Sequence, residues 1–180
     1  MAMTVRRLGA RQRKWVLLLH IAAAGVWLGL DVVVAVLVFT ARGTADPQIE
    51  AFCYRALELL AIWPMASAAL GSLLTGVLLG LGTKYGLVRY WWVAVKLAMN
   101  LVLTVLVVML LRPGLHDAAD YGRRLADGLP AAFDSRSLMF PPIVSTSALL
   151  AAMVLSVFKP WGRTRAQSAA RPRRAAVEPR

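Results

Sequence analysis

One cysteine, Cys53, stands in 180 residues. It excludes an internal disulfide and any cysteine-built metal cluster within a single chain. Charge is scarce too. Only 17% of the residues are charged, where a soluble domain of this size carries about one quarter. No hydrolase triad, phosphate-binding loop, zinc-ligand spacing or dinucleotide fingerprint occurs anywhere. What fills the chain instead is apolar: 59% of residues are hydrophobic and the mean hydropathy is +0.62. That balance describes one membrane-embedded bundle rather than several soluble domains.

A helix needs about 20 apolar residues to cross a hydrocarbon core of roughly 30 Å. Four stretches meet that length, at about residues 15–40, 52–82, 90–111 and 137–158. The expected fold is therefore all-α, a transmembrane four-helix bundle over residues 15–161. A basic arm (1–14) precedes it and a basic tail (162–180) follows it. The tail is rich in alanine and proline without apolar periodicity, which predicts disorder. The first apolar run spans 25 residues, Trp15 to Phe39. It exceeds the 7–15 of a signal-peptide core, so it reads as a retained helix.

An even number of spans puts both ends on one side of the membrane. Fourteen basic residues fall on that side, in the arm, the tail and the loop holding Lys84 and Arg89. Six arginines fall on the other side, together with most of the acids. The positive-inside rule then makes both termini cytoplasmic, with Trp15, Tyr85, Tyr90, Trp91, Trp92 and Trp161 forming the inner aromatic belt. The net charge of +12 resides mostly in the two ends. It predicts attraction to anionic inner-leaflet lipids, at about 1 kcal/mol per basic residue near the surface. Nucleic acid is not an expected partner, because the basic residues flank spans and no recognition fold accompanies them.

Between the third and fourth spans, "HDAADYGRRLADGL" reads either as a short amphipathic helix on the membrane surface or as a solvated connector. In the helical reading Leu115, Ala118, Ala119, Leu125 and Leu129 turn partly inward. On the second span Ala68, Ser72, Gly76 and Gly80 recur every four residues, a small-residue seam that lets helices approach closely in lipid. Pro64 is expected to kink that span. On the fourth span Ser145, Ala152 and Ser156 face neighbours.

Ionisable side chains within spans are costly and often mark function. His20, Ala24, Trp27 and Asp31 sit at offsets that place them on one helical stripe. Lys96 and Asn100 share a face of the third span. His20 lies about 7–8 Å in from Trp15, and Lys96 about 6–8 Å in from the Trp91–Trp92 pair, so the two are expected at one level. Lys96 is also shallow enough to snorkel to water along its own stem. Asp31, about 24 Å from Trp15, belongs to the outer half. Its natural partners there are Arg55 and Arg112, close to Glu58.

"LLLHIAAAGVWLGLDVV" resembles the first-helix pattern of a broad group of small bacterial membrane proteins, and "WWVAVKL" resembles the Trp-x-x-x-Lys signature on a later helix of that group. The group includes HemJ-like protoporphyrinogen oxidases, CopD-like copper-resistance proteins and uncharacterised four-helix families. From Lys14 to about Trp161 the chain looks closest to one of the uncharacterised families, through "TGVLLGLGTKYGLVRYWWVAVKL" and "FKPWGRTR". The resemblance implies a multi-pass protein of the bacterial cytoplasmic membrane. In the oxidases the first-helix histidine is implicated in binding haem b and the later lysine is essential, roles that would fall on His20 and Lys96, with Trp27 and Asn100 nearby. The sequence departs from the oxidase pattern after Trp27, where Asp31 appears and no arginine follows. His116 lies in the outer loop, so a two-histidine haem sandwich within one chain is not expected. The methionines are scattered, which speaks against copper transport.

Three readings follow. The first is a noncatalytic or accessory membrane protein with an intramembrane polar stripe, working as a homo-oligomer or beside another membrane protein. The second is a redox protein carrying haem b or a metal on His20 and Lys96. The third is a small transporter subunit, against which stands the apolar stretch between the inner polar group (His20, Lys96, Asn100) and the outer one (Asp31, Glu58, Arg55, Arg112).

Overall fold

The structure, a computed structural model, describes residues 8–82, 87, 90–130 and 132–158, without the side chains of 110–112. Arg6, Arg7, Lys84, Tyr85, Arg89 and all residues from Lys159 onward, Trp161 and the basic tail included, lie outside the described residues, as does the side chain of Arg112.

Helices α1 (Ala10–Gly43), α2 (Pro47–Ala61), α3 (Trp63–Gly82), α4 (Trp91–Leu106), α5 (Arg112–Ala126) and α6 (Phe140–Phe158) make up the chain. There is no strand among the described residues. Four helical stretches are long and apolar enough to cross a membrane: Ala10–Gly43, Pro47–Gly82, Trp91–Ala126 and Ser135–Phe158. The protein is an all-α four-helix bundle and a multi-pass membrane protein.

Side-chain contacts fix the direction of each helix. Gly82 lies beside Leu8, Gly76 beside His20 and Gly71 beside Ala23, so α3 runs antiparallel to α1. Asp31 bonds Ser145 and Arg42 bonds Ser135, so α6 also runs antiparallel to α1. Asn100 bonds Ser72, and further along Leu103 and Val107 line one cavity with Met65, so α4 runs antiparallel to α3. Both ends of the described chain therefore lie at the same end of the bundle.

The second stretch is two helices rather than one kinked helix. Asp46 caps α2, its carboxylate accepting from the Gln48 amide at 2.8 Å, with Pro47 in the first turn, where its missing N–H costs nothing. Pro64 then offers no N–H to the carbonyl of Leu60 and its ring crowds that carbonyl. The chain turns at Ile62 and α3 begins. Pro113 acts similarly on the third stretch. A π turn at Val107–Leu111 precedes it, widening the helix where the proline ring would meet the Met109 carbonyl. The helix then continues into α5.

Exposed aromatics mark how much of this lies in lipid. Trp15 and Trp91 are exposed near the end that holds the termini, and Trp63 and Phe140 near the other. Interfacial tryptophans sit at headgroup level. From Trp63 to Gly82, 20 residues, α3 spans about 30 Å at 1.5 Å per residue, one hydrocarbon thickness. Helices α2 and α5 extend past that level and carry Glu50, Arg55, Glu58, His116, Asp117, Asp120, Arg123 and Arg124. They form a polar cap outside the hydrocarbon.

The segment read as a surface helix or connector is thus α5, standing on the bundle and packed along α2. Leu115, Ala118 and Ala119 are buried in that contact, while Leu129 is exposed. Tyr54, Tyr121 and Phe133 close the cap, with ring centroids 5.5–5.7 Å apart. Gly128 ends α5 at a φ of 69°, a left-handed conformation that suits glycine.

Candidate functional site

Every polar side chain singled out within the spans makes its bond to another helix. His20, half-buried on α1, reaches α3: its Nδ1 lies 3.0 Å from the Ser72 carbonyl and 3.0 Å from Thr75 Oγ1. The Thr75 hydroxyl donates to the Gly71 carbonyl at 2.6 Å. With that proton used and the Ser72 carbonyl able only to accept, the imidazole must carry its hydrogen on Nδ1. Its Nε2 keeps a lone pair. Gly76 makes room for this ring, because a Cβ there would stand 3.3 Å from His20 Cε1. The small-residue seam on α3 is thus the wall against which the histidine packs.

Ser72 serves a second helix. Its hydroxyl accepts from Asn100 Nδ2 at 2.9 Å, and Thr104 donates to the Asn100 carbonyl at 2.8 Å. Lys96 turns elsewhere. Its ammonium donates to Ser156 Oγ on α6 at 2.8 Å and stands 4.8 Å above the Trp92 ring. Lys96 and Asn100 share a face of α4, but their bonds go to α6 and α3 respectively.

Asp31 is 1% exposed and accepts from Ser145 Oγ on α6 at 2.7 Å. No arginine pairs with it among the described residues, and Arg55 is exposed on α2. Ionisable residues within spans are costly, and among the described residues Asp31 is held by one hydroxyl. Trp27, one turn before it, is fully buried, and its indole Nε1 has no hydrogen-bond partner among the described residues. The stripe of α1 therefore divides. His20 serves α3, Asp31 serves α6, and Trp27 fills the core between them.

The remaining candidate lies in the cap. Glu58 takes a hydrogen bond from His116 Nδ1 at 2.7 Å and one from Arg123 at 2.9 Å, while Arg123 also donates to Asp120 at 2.6 Å. Hydrogen bonding to Arg123 holds both carboxyls below the usual carboxylate range. A depressed folded pKa contributes stability that is present above the unfolded value near 4 and is lost as pH falls through the folded value. Acidification from pH 6 to pH 3 is expected to loosen the cap, read by near-ultraviolet circular dichroism of Tyr54 and Tyr121. Arg123→Gln should shrink that pH dependence, leaving the part that the His116 bond to Glu58 contributes.

A haem with two protein ligands, or a metal ion, would need a second ligand beside His20. His20 Nε2 is available as one axial nitrogen, oriented by the Nδ1–H bond to a carbonyl as metal-bound histidines commonly are. Neither of the other candidates stands beside it: the Lys96 ammonium donates to Ser156, and His116 is at the cap. No group of three or more His, Cys, Asp or Glu side chains could hold a metal ion among the described residues. The partners Ser72, Ser145 and Ser156 read from the sequence only as packing residues, and Thr75 does not stand out there at all. A serine at the depth of an ionisable residue on the facing helix is the signal that identifies them.

Compared with known proteins, the chain matches no family, no curated protein and no solved structure.

Proposed function

We propose that the chain is a noncatalytic, accessory protein of a bacterial cytoplasmic membrane, with both termini inside and its polar stripe serving to tie the four spans together. One observation carries this reading. His20, Asp31, Lys96 and Asn100 each bond to a different helix from their own. Interhelical bonds of this kind contribute about 0.6 kcal/mol each on average in lipid and fix which faces meet. The exposed Arg11, Arg13 and Lys14 at the start of α1 suit anionic lipid headgroups on the same side. Such a protein works as a homo-oligomer or beside a membrane partner.

A second reading, haem b on His20, is favoured by the Nδ1-protonated tautomer, which leaves Nε2 to ligate. A transporter subunit finds less support, since the His20 and Asp31 levels lie about 16 Å apart along α1, with Trp27 packed between them. The experiment that separates the first two readings is an absorption spectrum of the detergent-purified protein, before and after dithionite, beside His20→Ala. The accessory reading expects no Soret band in either protein, even after haem is added, and a lower unfolding temperature for His20→Ala. A Soret band that His20→Ala abolishes would replace it with the haem reading.

A further inference from the structure

Toward the cap end of the spans, α1, α3, the π turn after α4 and α6 leave a cavity of about 340 Å³. Its walls are Val34, Met65, Leu103, Val107 and Pro142, and its polar end is Asp31 with Ser145. It opens sideways past Leu106, Phe140 and Val144, all exposed on the bundle's lipid-facing surface. Pro141 and Pro142 start α6 at this level, and the π turn widens the facing helix there.

We propose that this cavity binds a lipophilic amine, its ammonium on the Asp31 carboxylate and its apolar body along α4 and α6. The volume lies within the range of small-molecule sites, which are mostly apolar with a few placed polar groups. Asp31 Oδ2 is occupied by Ser145, and Oδ1 has no hydrogen-bond partner among the described residues. The carboxylate has no cation beside it among those residues either, although buried charges are ordinarily paired. An ammonium would supply the charge and the donor that none of the described residues brings to Oδ1, and the lateral opening admits a molecule already dissolved in the bilayer. The inference does not depend on the function proposed above, because His20 and Lys96 do not line the cavity.

The same chemistry is carried by a free amphiphilic amine and by an aminophospholipid. The test uses the full chain in detergent, titrated with 4-phenylbutylamine, with the uncharged 4-phenyl-1-butanol, and with phosphatidylethanolamine against phosphatidylcholine. Thermal unfolding is the readout. The expected result is stabilisation by the free amine, by phosphatidylethanolamine, or by both, and whichever acts identifies the source. For the amine that acts, the apparent affinity should fall at least tenfold in Asp31→Asn, and at least tenfold for 4-phenyl-1-butanol, which lacks the charge, or for phosphatidylcholine, whose quaternary ammonium has no N–H to donate. Gly114→Leu is the second variant. It leaves Asp31 in place and fills the cavity from α5, where among the described residues a Cβ meets only Leu138, at 3.7 Å. It should weaken binding of amine and alcohol alike. Failure of both amines to stabilise the wild-type chain, or equal affinity in wild type and either variant, would overturn the proposal.

Discussion

Replacing Trp27 with alanine is expected to cost about 3–5 kcal/mol of stability, the range for emptying a buried aromatic site. Trp27 is fully buried at the middle of α1 and joins the core cluster with Met65, Ala68 and Ala69 of α3 and Leu103 of α4. Lipid tails are as apolar as the indole, so its contribution is packing rather than escape from water. That contribution is large because a void leaves its lining without partner atoms. Trp27→Phe should be far milder. The indole Nε1 has no partner among the described residues, so phenylalanine loses volume but no hydrogen bond. Its cost should stay near the ~1.5 kcal/mol of near-isosteric core swaps. Unfolding in mixed detergent micelles would measure both variants. If Trp27→Phe proves as damaging as Trp27→Ala, the indole N–H has a partner and the core account of this residue fails.

The spans were legible because hydrocarbon thickness sets a length that a sequence either meets or does not. Polar side chains inside them were equally visible, since charge is expensive at that depth. Their partners were harder to see. Ser72, Ser145 and Ser156 look like small packing residues, and only the register between helices reveals that they accept or donate. His20 and Lys96 illustrate the difficulty. Counting residues from the tryptophans puts them at one depth, yet depth does not fix azimuth, and their bonds go to α3 and α6 respectively. The cap was hidden for another reason. Residues 47–61 continue into an apolar run, so their own amphipathic face, with Ala51, Tyr54, Leu57 and Ala61 buried, merged with the span. The pattern of α5 was visible as Leu115, Ala118 and Ala119 at helical spacing, but nothing local names α2 as its partner.

That partnership includes one close backbone approach, at Gly122. A Cβ at Gly122 would stand 2.9 Å from the Ala51 carbonyl oxygen, 3.1 Å from Tyr54 Cβ and 3.3 Å from Arg55 Cγ. The first of these is backbone, which cannot swing aside as a side chain does. Gly122→Ala should therefore cost about 1–3 kcal/mol through overpacking, against the usual gain of about 0.5–1 kcal/mol for alanine over glycine within a helix. Gly122→Leu should go further and part α5 from α2. The near-ultraviolet signal of Tyr54 and Tyr121 would then collapse, while the far-ultraviolet helix signal of the four spans survives. Gly114→Ala is the control on the same helix. Among the described residues its new methyl meets only Leu138, at 3.7 Å, so it should stabilise by the ordinary helix preference. A Gly122→Leu chain that keeps both its near-ultraviolet signal and its unfolding temperature would show that α5 does not stand against α2. The cap would then be two separate helices, and the Glu58–Arg123 pair would lose the geometry that makes it pH-sensitive.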